Sequence, residues 1–344
     1  MDLPLRLTLD ADALLANWRA LDRLSGAAAC GAAVKADGYG LGAAEVARRL
    51  AGAGCRDFFV ATWAEAAALA PLGLPVSVLH GVRADDMAVA LAGGTARPVL
   101  CTPSQIARWR SAGGGACDVM VDTGINRLGI AVEDVAAGLL DGLAVETLMS
   151  HLAFADQDDA MNERQRERFA GLSGRTGARR LSLANSAAIA LGERFAFDLT
   201  RPGVALYGGV PRGELAGVIR PVVTLEAQIL QRRRVAAGET VGYNATWRAP
   251  VETEVAIVNI GYADGYWRGF SDRGTARAGD AVLPVIGRVS MDLTALDVSA
   301  APALGEGDWV TLDYALPAAA AASGMSQYEL LTGLGHRYAR RWRG

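Results

Sequence analysis

Residues Ala32 to Gly42 read AAVKADGYGLG. An apolar run stops at a lysine, and a glycine-studded turn with one tyrosine follows. Lys35 is the chain's single lysine, against 33 arginines. A lysine at a strand end commonly snorkels its ammonium into water. A desolvated amine has another use, because once deprotonated it attacks carbonyl carbon and forms an imine. Glycine-rich turns beside it expose backbone N–H groups that bind anions.

Other polar residues punctuate the ends of apolar runs further along: Asp122 and Arg127, then His151, then Asn185 and Ser186, then Arg201 and Gly203. One polar strand end carries no information, but several converging on one mouth do. Two arginines, a lysine, a serine hydroxyl and glycine turns make a receptor for an anion, since guanidinium grips planar anions bidentately. The amine asks for an aldehyde. Pyridoxal 5'-phosphate is the biological molecule that offers both groups.

Such convergence needs a frame. The first two thirds of the chain alternate short apolar runs with Ala/Leu/Arg-rich amphipathic stretches, the rhythm of repeated βα units. The runs are CGAAVKA, DFFVATW, PVSVLHG, RPVLCT, CDVMVDTG, VETLMSHL, RRLSLANS and FDLTRPG. Thr62–Glu65 (TWAE) and Thr102–Gln105 (TPSQ) read as helix-opening capping boxes, the second with proline at the first helical position. Eight units predict an α/β fold with an N-terminal (β/α)8 barrel of the TIM type over residues 1–212, with chemistry at the C-terminal ends of its strands. Beyond about Gly209 the apolar residues alternate without intervening helices. This predicts a mostly antiparallel β domain over residues 213–344, closed by a final helix in SQYELLTGLGHRYARRW.

Composition narrows the function. A net charge of -3 with no long basic run disfavours nucleic acid. Four scattered cysteines and three histidines give no zinc or multi-histidine metal pattern. The opening segment lacks the apolar core of a signal peptide, and no apolar run reaches membrane-spanning length, so a cytoplasmic protein is expected. Gly38-x-Gly40-x-x-Ala43 also fits a dinucleotide fingerprint and raises an NAD-dependent oxidoreductase. The acid that such a site needs at the end of the next strand is missing, because Asp57 stands at that strand's beginning.

Eight motifs in order, AAVKADGYGLG, VDTGINRLGI, SHLAFAD, ANSAA, RPGVALYG, VGYNATW, IGYADGY and GRVSMDL, resemble those of bacterial alanine racemase over essentially the whole chain. The resemblance implies a pyridoxal-phosphate isomerase that makes D-alanine for peptidoglycan precursors. It further implies a homodimer whose active sites form between the barrel of one copy and the β domain of the other. Lys35 then matches the Schiff-base lysine and Tyr243 the second catalytic base. Tyr39, Ser186, Gly203 and Val204 match phosphate binders, with Asn185 beside them among the cofactor-binding residues. His151 matches the residue against the pyridine ring and Arg201 the partner of its nitrogen. Arg127, Tyr262, Met291 and neighbouring Asp292 match the substrate carboxylate site and entrance.

Racemisation removes an α-proton and returns one to the other face, so two bases are needed. Lys35 and Tyr243 would serve, each brought down from reference values near 10 by cationic surroundings. Without the resemblance, Tyr243 and Tyr262 would read as strand aromatics packing across a sheet. The chain departs from the pattern at Met120, where many members carry a carbamylated lysine that orients the arginine; Asn126 is expected to bond Arg127 instead. Ser290 replaces a cysteine and His336 a tyrosine. Bulky Tyr243 and Tyr262 suggest alanine as substrate, with a broad-specificity or serine racemase as the alternative, because one methylene discriminates by only about 1–3 kcal/mol.

Overall fold

The computed structural model describes residues 3–344 and divides into two compact units. One comprises Leu15–Leu206 with Pro211–Ile219; the other comprises the segment up to Leu14, Tyr207–Val210 and Arg220–Gly344.

In the first unit, each expected run forms a strand. Phe58–Val60, Val76–Val78, Ala96–Leu100, Cys117–Asp122, Val145–Met149 and Arg180–Ser182 pair in parallel, in sequence order. Mostly buried along their length, and with no exposed position, they suit a sheet covered on both faces. Closure depends on the segment containing Lys35's approach. Ala32–Ala33 pairs with Phe58–Val60, while Ala29–Cys30 pairs with Leu199–Thr200. Arg201 N–H to Ala184 O at 2.8 Å and Asp198 N–H to Leu181 O at 3.0 Å join the last two strands, which completes the ring of eight. Gly31 sits where this ring turns between its two partners; a Cβ there would lie 2.8 Å from Asp57 O.

Helices return the chain between strands. Thr62 caps Trp63–Leu69 in a full box, with Glu65 N–H to Thr62 Oγ1 at 3.3 Å and Thr62 N–H back to Glu65. The second expected box is half formed. Thr102 caps Gln105, yet the Gln105 carbonyl accepts from Cys101 N–H at 2.8 Å, because it reaches past the cap to the preceding strand end.

The barrel interior is plugged by a polar cluster toward its strand N-termini. Asp118 is fully buried and accepts from Ser77 Oγ (2.6 Å), Arg97 Nε (2.8 Å) and Thr147 N–H (3.0 Å). Ser77 and Asp118 lie on strands separated by Ala96–Leu100, so their bond can only cross the interior. Asp57 is held bidentately by Arg180 at 2.6 and 3.0 Å, on the same strand-beginning side.

The second unit is a largely antiparallel sheet. Leu5–Asp10 and the first half of the long strand Val223–Val235, as far as Ile229, alternate buried and half-buried positions, as a one-sided sheet should. Here the structure departs from the expected division near residue 212. Leu5–Asp10 pairs antiparallel with Val223–Val235 in the β unit, since its alternating leucines match that sheet's covered face. The expected final helix is also revised. Gln327–Thr332 is helical, but glycines at 333 and 335 end it, and Ala339–Arg343 becomes a strand parallel to Leu5–Asp10. No helix among the described residues is long and apolar enough to cross a membrane.

Replacing Asp118 with alanine would leave the Arg97 guanidinium and Thr147 N–H without their shared acceptor. We expect Asp118→Ala to lower unfolding stability by about 3 kcal/mol or more. Urea unfolding checks this, and a midpoint equal to the parent's would show that the plug does not stabilise the barrel.

Candidate active site

Val34 ends the first barrel strand, with its N–H on Phe59 O at 2.9 Å, and Lys35 follows. The backbone then does something uncommon. Ala36 (φ 52, ψ 48), Asp37 (φ 52, ψ 50), Gly38 (φ 63, ψ 43) and Tyr39 (φ 56) form a left-handed turn. For L-residues that conformation costs roughly 1–2 kcal/mol each. Hydrogen bonds hold it: Gly38 N–H to Val34 O and Gly40 N–H to Ala36 O, both at 2.8 Å, and Ala43 N–H to Asp37 Oδ1 at 2.8 Å. Backbone strain of this kind gathers at functional sites.

The Lys35 amine is half-buried and has no hydrogen-bond or ion-pair partner among the described residues. Burial lowers its pKa, and the charges of Arg127 and Arg201 lower it further; Glu65 opposes them. A lysine with this environment loses its proton more readily than a solvated one, as imine formation requires.

Arg201 is buried, and its contacts fix the guanidinium plane. Nη2 donates to Ser150 O at 2.6 Å and Leu183 O at 3.5 Å, and Nη1 donates to Ser182 Oγ. Ser182 in turn donates to Leu199 O at 2.5 Å, so its oxygen has a lone pair turned to the arginine. Among the described residues no carboxylate touches Arg201, and burial pushes its pKa down to about 10, still protonated at neutral pH. Ser182 was not singled out in the sequence. Its inward position in RRLSLANS is the only signal, and periodicity assigns inward positions to packing.

His151 ends the next strand run. Burial and the charges of Arg201, Arg127 and Lys35 push its pKa down to about 3, so its imidazole is neutral. Ser186 Oγ accepts Gly203 N–H at 2.8 Å and Ala205 N–H at 3.3 Å, leaving its own hydrogen to donate. Val204 opens the 3-10 turn Val204–Tyr207, where its N–H has no carbonyl within the turn to bond. Gly203 must lack a side chain, because a Cβ would lie 2.1 Å from Tyr39 Oη. These groups cluster hydroxyls and amides suited to a phosphate. Asn185 uses its side-chain oxygen to cap Ser186–Ile189 through Ala188 N–H at 2.9 Å, which leaves both donors of its amide nitrogen to offer a ligand.

Arg127 is exposed. Its backbone N–H bonds Asp122 Oδ2 at 3.0 Å, and Asp122 Oδ1 takes Gly124 N–H at 2.7 Å. Asp122 therefore shapes the loop and does not neutralise the guanidinium. The expected Asn126–Arg127 bond is absent among the described residues: Asn126 sits at φ 54 on the loop's exposed corner. Met120 is buried in its strand.

The remaining expected residues belong to the β unit. Tyr243 lies in the connection of the hairpin Thr240–Val241 with Trp247–Arg248, where Asn244 (φ 62) and Ala245 (φ 49) make a tight tip, and is 63% exposed. Tyr262 and Met291 are tied together, with Tyr262 N–H on Ser290 O and Ala263 N–H on Met291 O, both at 3.0 Å. Arg268 stacks over the Tyr262 ring at 5.0 Å. Beneath them Arg337 bridges fully buried Asp264 (2.6 and 2.8 Å) and Asp292 (2.7 Å). Asp292, expected in the substrate site, thus has its charge answered by Arg337. No cluster of potential metal ligands occurs among the described residues.

Comparison with known proteins gives one family throughout. Residues 9–211 match the model of the alanine racemase N-terminal domain, and residues 222–342 that of its C-terminal domain. Among curated relatives, the alanine racemase of Acidiphilium cryptum is 46% identical, covering 97% of each chain. That of Methylobacterium nodulans is 43% identical over 98% of this chain and 95% of its own. Among solved structures, the alanine racemase of Bartonella henselae with covalently bound pyridoxal phosphate superposes with a TM-score of 0.90 at 33% identity, covering 99% of both chains. The biosynthetic enzyme of Pseudomonas aeruginosa gives 0.91 at 33% over the full length of both.

The depressed His151 pKa makes a direct prediction. In the cofactor-free protein its ring carbon resonances should stay constant from pH 8 down to pH 5, where an ordinary histidine titrates. A midpoint between 6 and 7 in the NMR titration would contradict the surroundings described.

Proposed function

The chain belongs to the alanine racemase family, and from that premise we propose how its residues divide the interconversion of L-alanine and D-alanine. The observation that carries the reading is the half-buried amine of Lys35, unpartnered among the described residues, beside two guanidinium charges.

These surroundings fit pyridoxal phosphate. Lys35 would hold its aldehyde carbon; Ser186, Tyr39 and the amides of Gly203 and Val204 its phosphate; Arg201 its ring nitrogen; His151 its ring face. When bound, that group supplies an electron sink for the charge left on the α-carbon. The chain moves the protons. Lys35, with its basicity lowered, takes or returns one at a single face of the substrate, and Tyr243 serves the opposite face through its phenol oxygen. Arg201 keeps its protons at neutral pH, so it donates to the ring nitrogen without protonating it. That restrains how far charge spreads and suppresses side reactions. Exposed Arg127, paired with no carboxylate among the described residues, takes the substrate carboxylate, and neutral His151 adds no charge to the ring face.

Tyr243 belongs to the β unit, whose exposed Tyr243, Met291 (53%) and Leu293 (39%) support a surface that another molecule covers. We assign that role to a second copy of the chain, whose Tyr243 would complete the site of its partner. D-alanine formed in the cytoplasm for peptidoglycan precursors is the physiological role consistent with this activity.

Borohydride reduction after incubation with pyridoxal phosphate should fix one equivalent of cofactor at Lys35, the chain's one lysine, and none at the N-terminal amine. Racemisation followed by D-amino-acid oxidase should be faster for alanine than for serine, lysine or arginine. Tyr243→Phe should cut it at least 100-fold in both directions, the scale of a positioned proton-transfer group. Parental rates in Tyr243→Phe would end the two-base scheme, and modification of another residue would end the assignment of Lys35. Gly203→Ala, by driving a methyl group into Tyr39 Oη, should weaken cofactor uptake at least tenfold in an absorbance titration; undiminished affinity would remove Tyr39 and Gly203 from the phosphate site.

A further inference from the structure

Glu65 opens the helix Trp63–Leu69, and within that helix it is a capping-box glutamate like many others. Its second oxygen sets it apart. Oε2 takes the N–H groups of Ala61 (2.6 Å) and Thr62 (3.3 Å), at the end of the second barrel strand. Oε1 reaches across to the first strand and takes Ala36 N–H at 2.8 Å, the amide directly after Lys35. Ala36 is the first residue of the left-handed turn (φ 52) and has no polar side chain with which to stabilise that conformation. Resting on the assignment of Lys35 as the cofactor-bearing base, we infer that Glu65 is a positioning residue for it. The Glu65 carboxylate clamps two adjacent strand ends together and so sets both the direction in which the amine leaves the backbone and the charge that it feels.

The chemistry requires a carboxylate. Both oxygens of Glu65 accept from N–H donors, and only an ionised carboxylate is an acceptor at both positions. Glutamine would present an NH2 group either to Ala36 N–H or to Ala61 N–H, donor against donor. The charges that act on Lys35 are Arg127 and Arg201, which favour the free amine, and Glu65, which favours the ammonium; His151 beside them is neutral. Glu65 is thus the counterweight that keeps the amine from becoming too weak a base to accept an α-proton.

The absence of other lysines makes the test clean, because Lys35 and the chain's N-terminal amine are the only primary amines. Cofactor-free protein is labelled briefly with acetic anhydride between pH 7 and 10, and Lys35 acetylation is read by mass spectrometry against the N-terminus as internal reference. Glu65→Gln removes a negative charge, so the ammonium is destabilised and the midpoint falls. At pH 8 Lys35 should acetylate faster by on the order of threefold. Hydrogen exchange in residues 34–42 should accelerate as Ala36 N–H loses its acceptor. Thr62→Ala, which removes the helix cap but keeps the carboxylate, should move neither readout. Glu65→Asp, charged but one methylene short of spanning both strand ends, should accelerate exchange with a smaller midpoint shift. Parental labelling and exchange in Glu65→Gln, or the same changes in Thr62→Ala, would overturn the proposal. Both readouts are taken without pyridoxal phosphate. A protein that stayed colourless with that compound would therefore defeat the cofactor reading while leaving the clamp decided on its own evidence.

Discussion

The role proposed for Lys35, an amine that gives up its proton beside two guanidinium groups, depends on water being held back and on the charges keeping fixed positions. In water the three cations would drift apart and Lys35 would be an ordinary ammonium. Here Arg201 is pinned by two carbonyls and Ser182, Arg127 rides on a loop shaped by Asp122, and Lys35 stands at the head of a left-handed turn. The fold can be understood as the apparatus that holds these like charges at close quarters.

The closed barrel supplies the rigidity. Eight short strands, several of only two or three residues, would make a weak open sheet. Closure gives each strand two neighbours and removes free edges. The Asp118 cluster joins strands that are not neighbours across the interior, so the end opposite the mouth is cross-linked by buried, charge-assisted bonds. With that end fixed, strain can be tolerated at the other, where Ala36, Asp37 and Tyr39 adopt positive φ. The cost of the turn is offset by the packing and hydrogen bonds that surround it.

The β unit applies the same logic with a different framework. Tyr243 sits on a hairpin tip whose base is packed among Val235, Val241, Ala249, Val255 and Ile286. Tyr262 and Met291 are linked backbone to backbone and braced by Arg337 between Asp264 and Asp292. In both units, the side chains of the candidate site stand on backbone that leaves them little freedom, which suits chemistry that depends on fixed directions of approach.

Much of this was legible in the linear chain. The eight apolar runs, the alternation beyond Gly209 and the ordered motifs from AAVKADGYGLG to GRVSMDL follow from side-chain periodicity and local spacing, which a sequence carries directly. The first strand's membership in the β unit, the closing strand Ala339–Arg343 and the loss of the Asn126–Arg127 bond were not, since each depends on partners hundreds of residues away or on a loop's backbone angles. Glu65 read only as a helix cap, and Ser182 drew no reading, because their partners Ala36 and Arg201 stand on other strands, 29 and 19 residues away. By itself the sequence determined which groups were available: one lysine, its flanking turn and the arginines, serine and tyrosines with which it could work. Only the tertiary structure decided which of them act on one another. Hydrogen bonding and charge coupling fall off within a few ångströms, and such distances between remote residues exist only once the chain has folded.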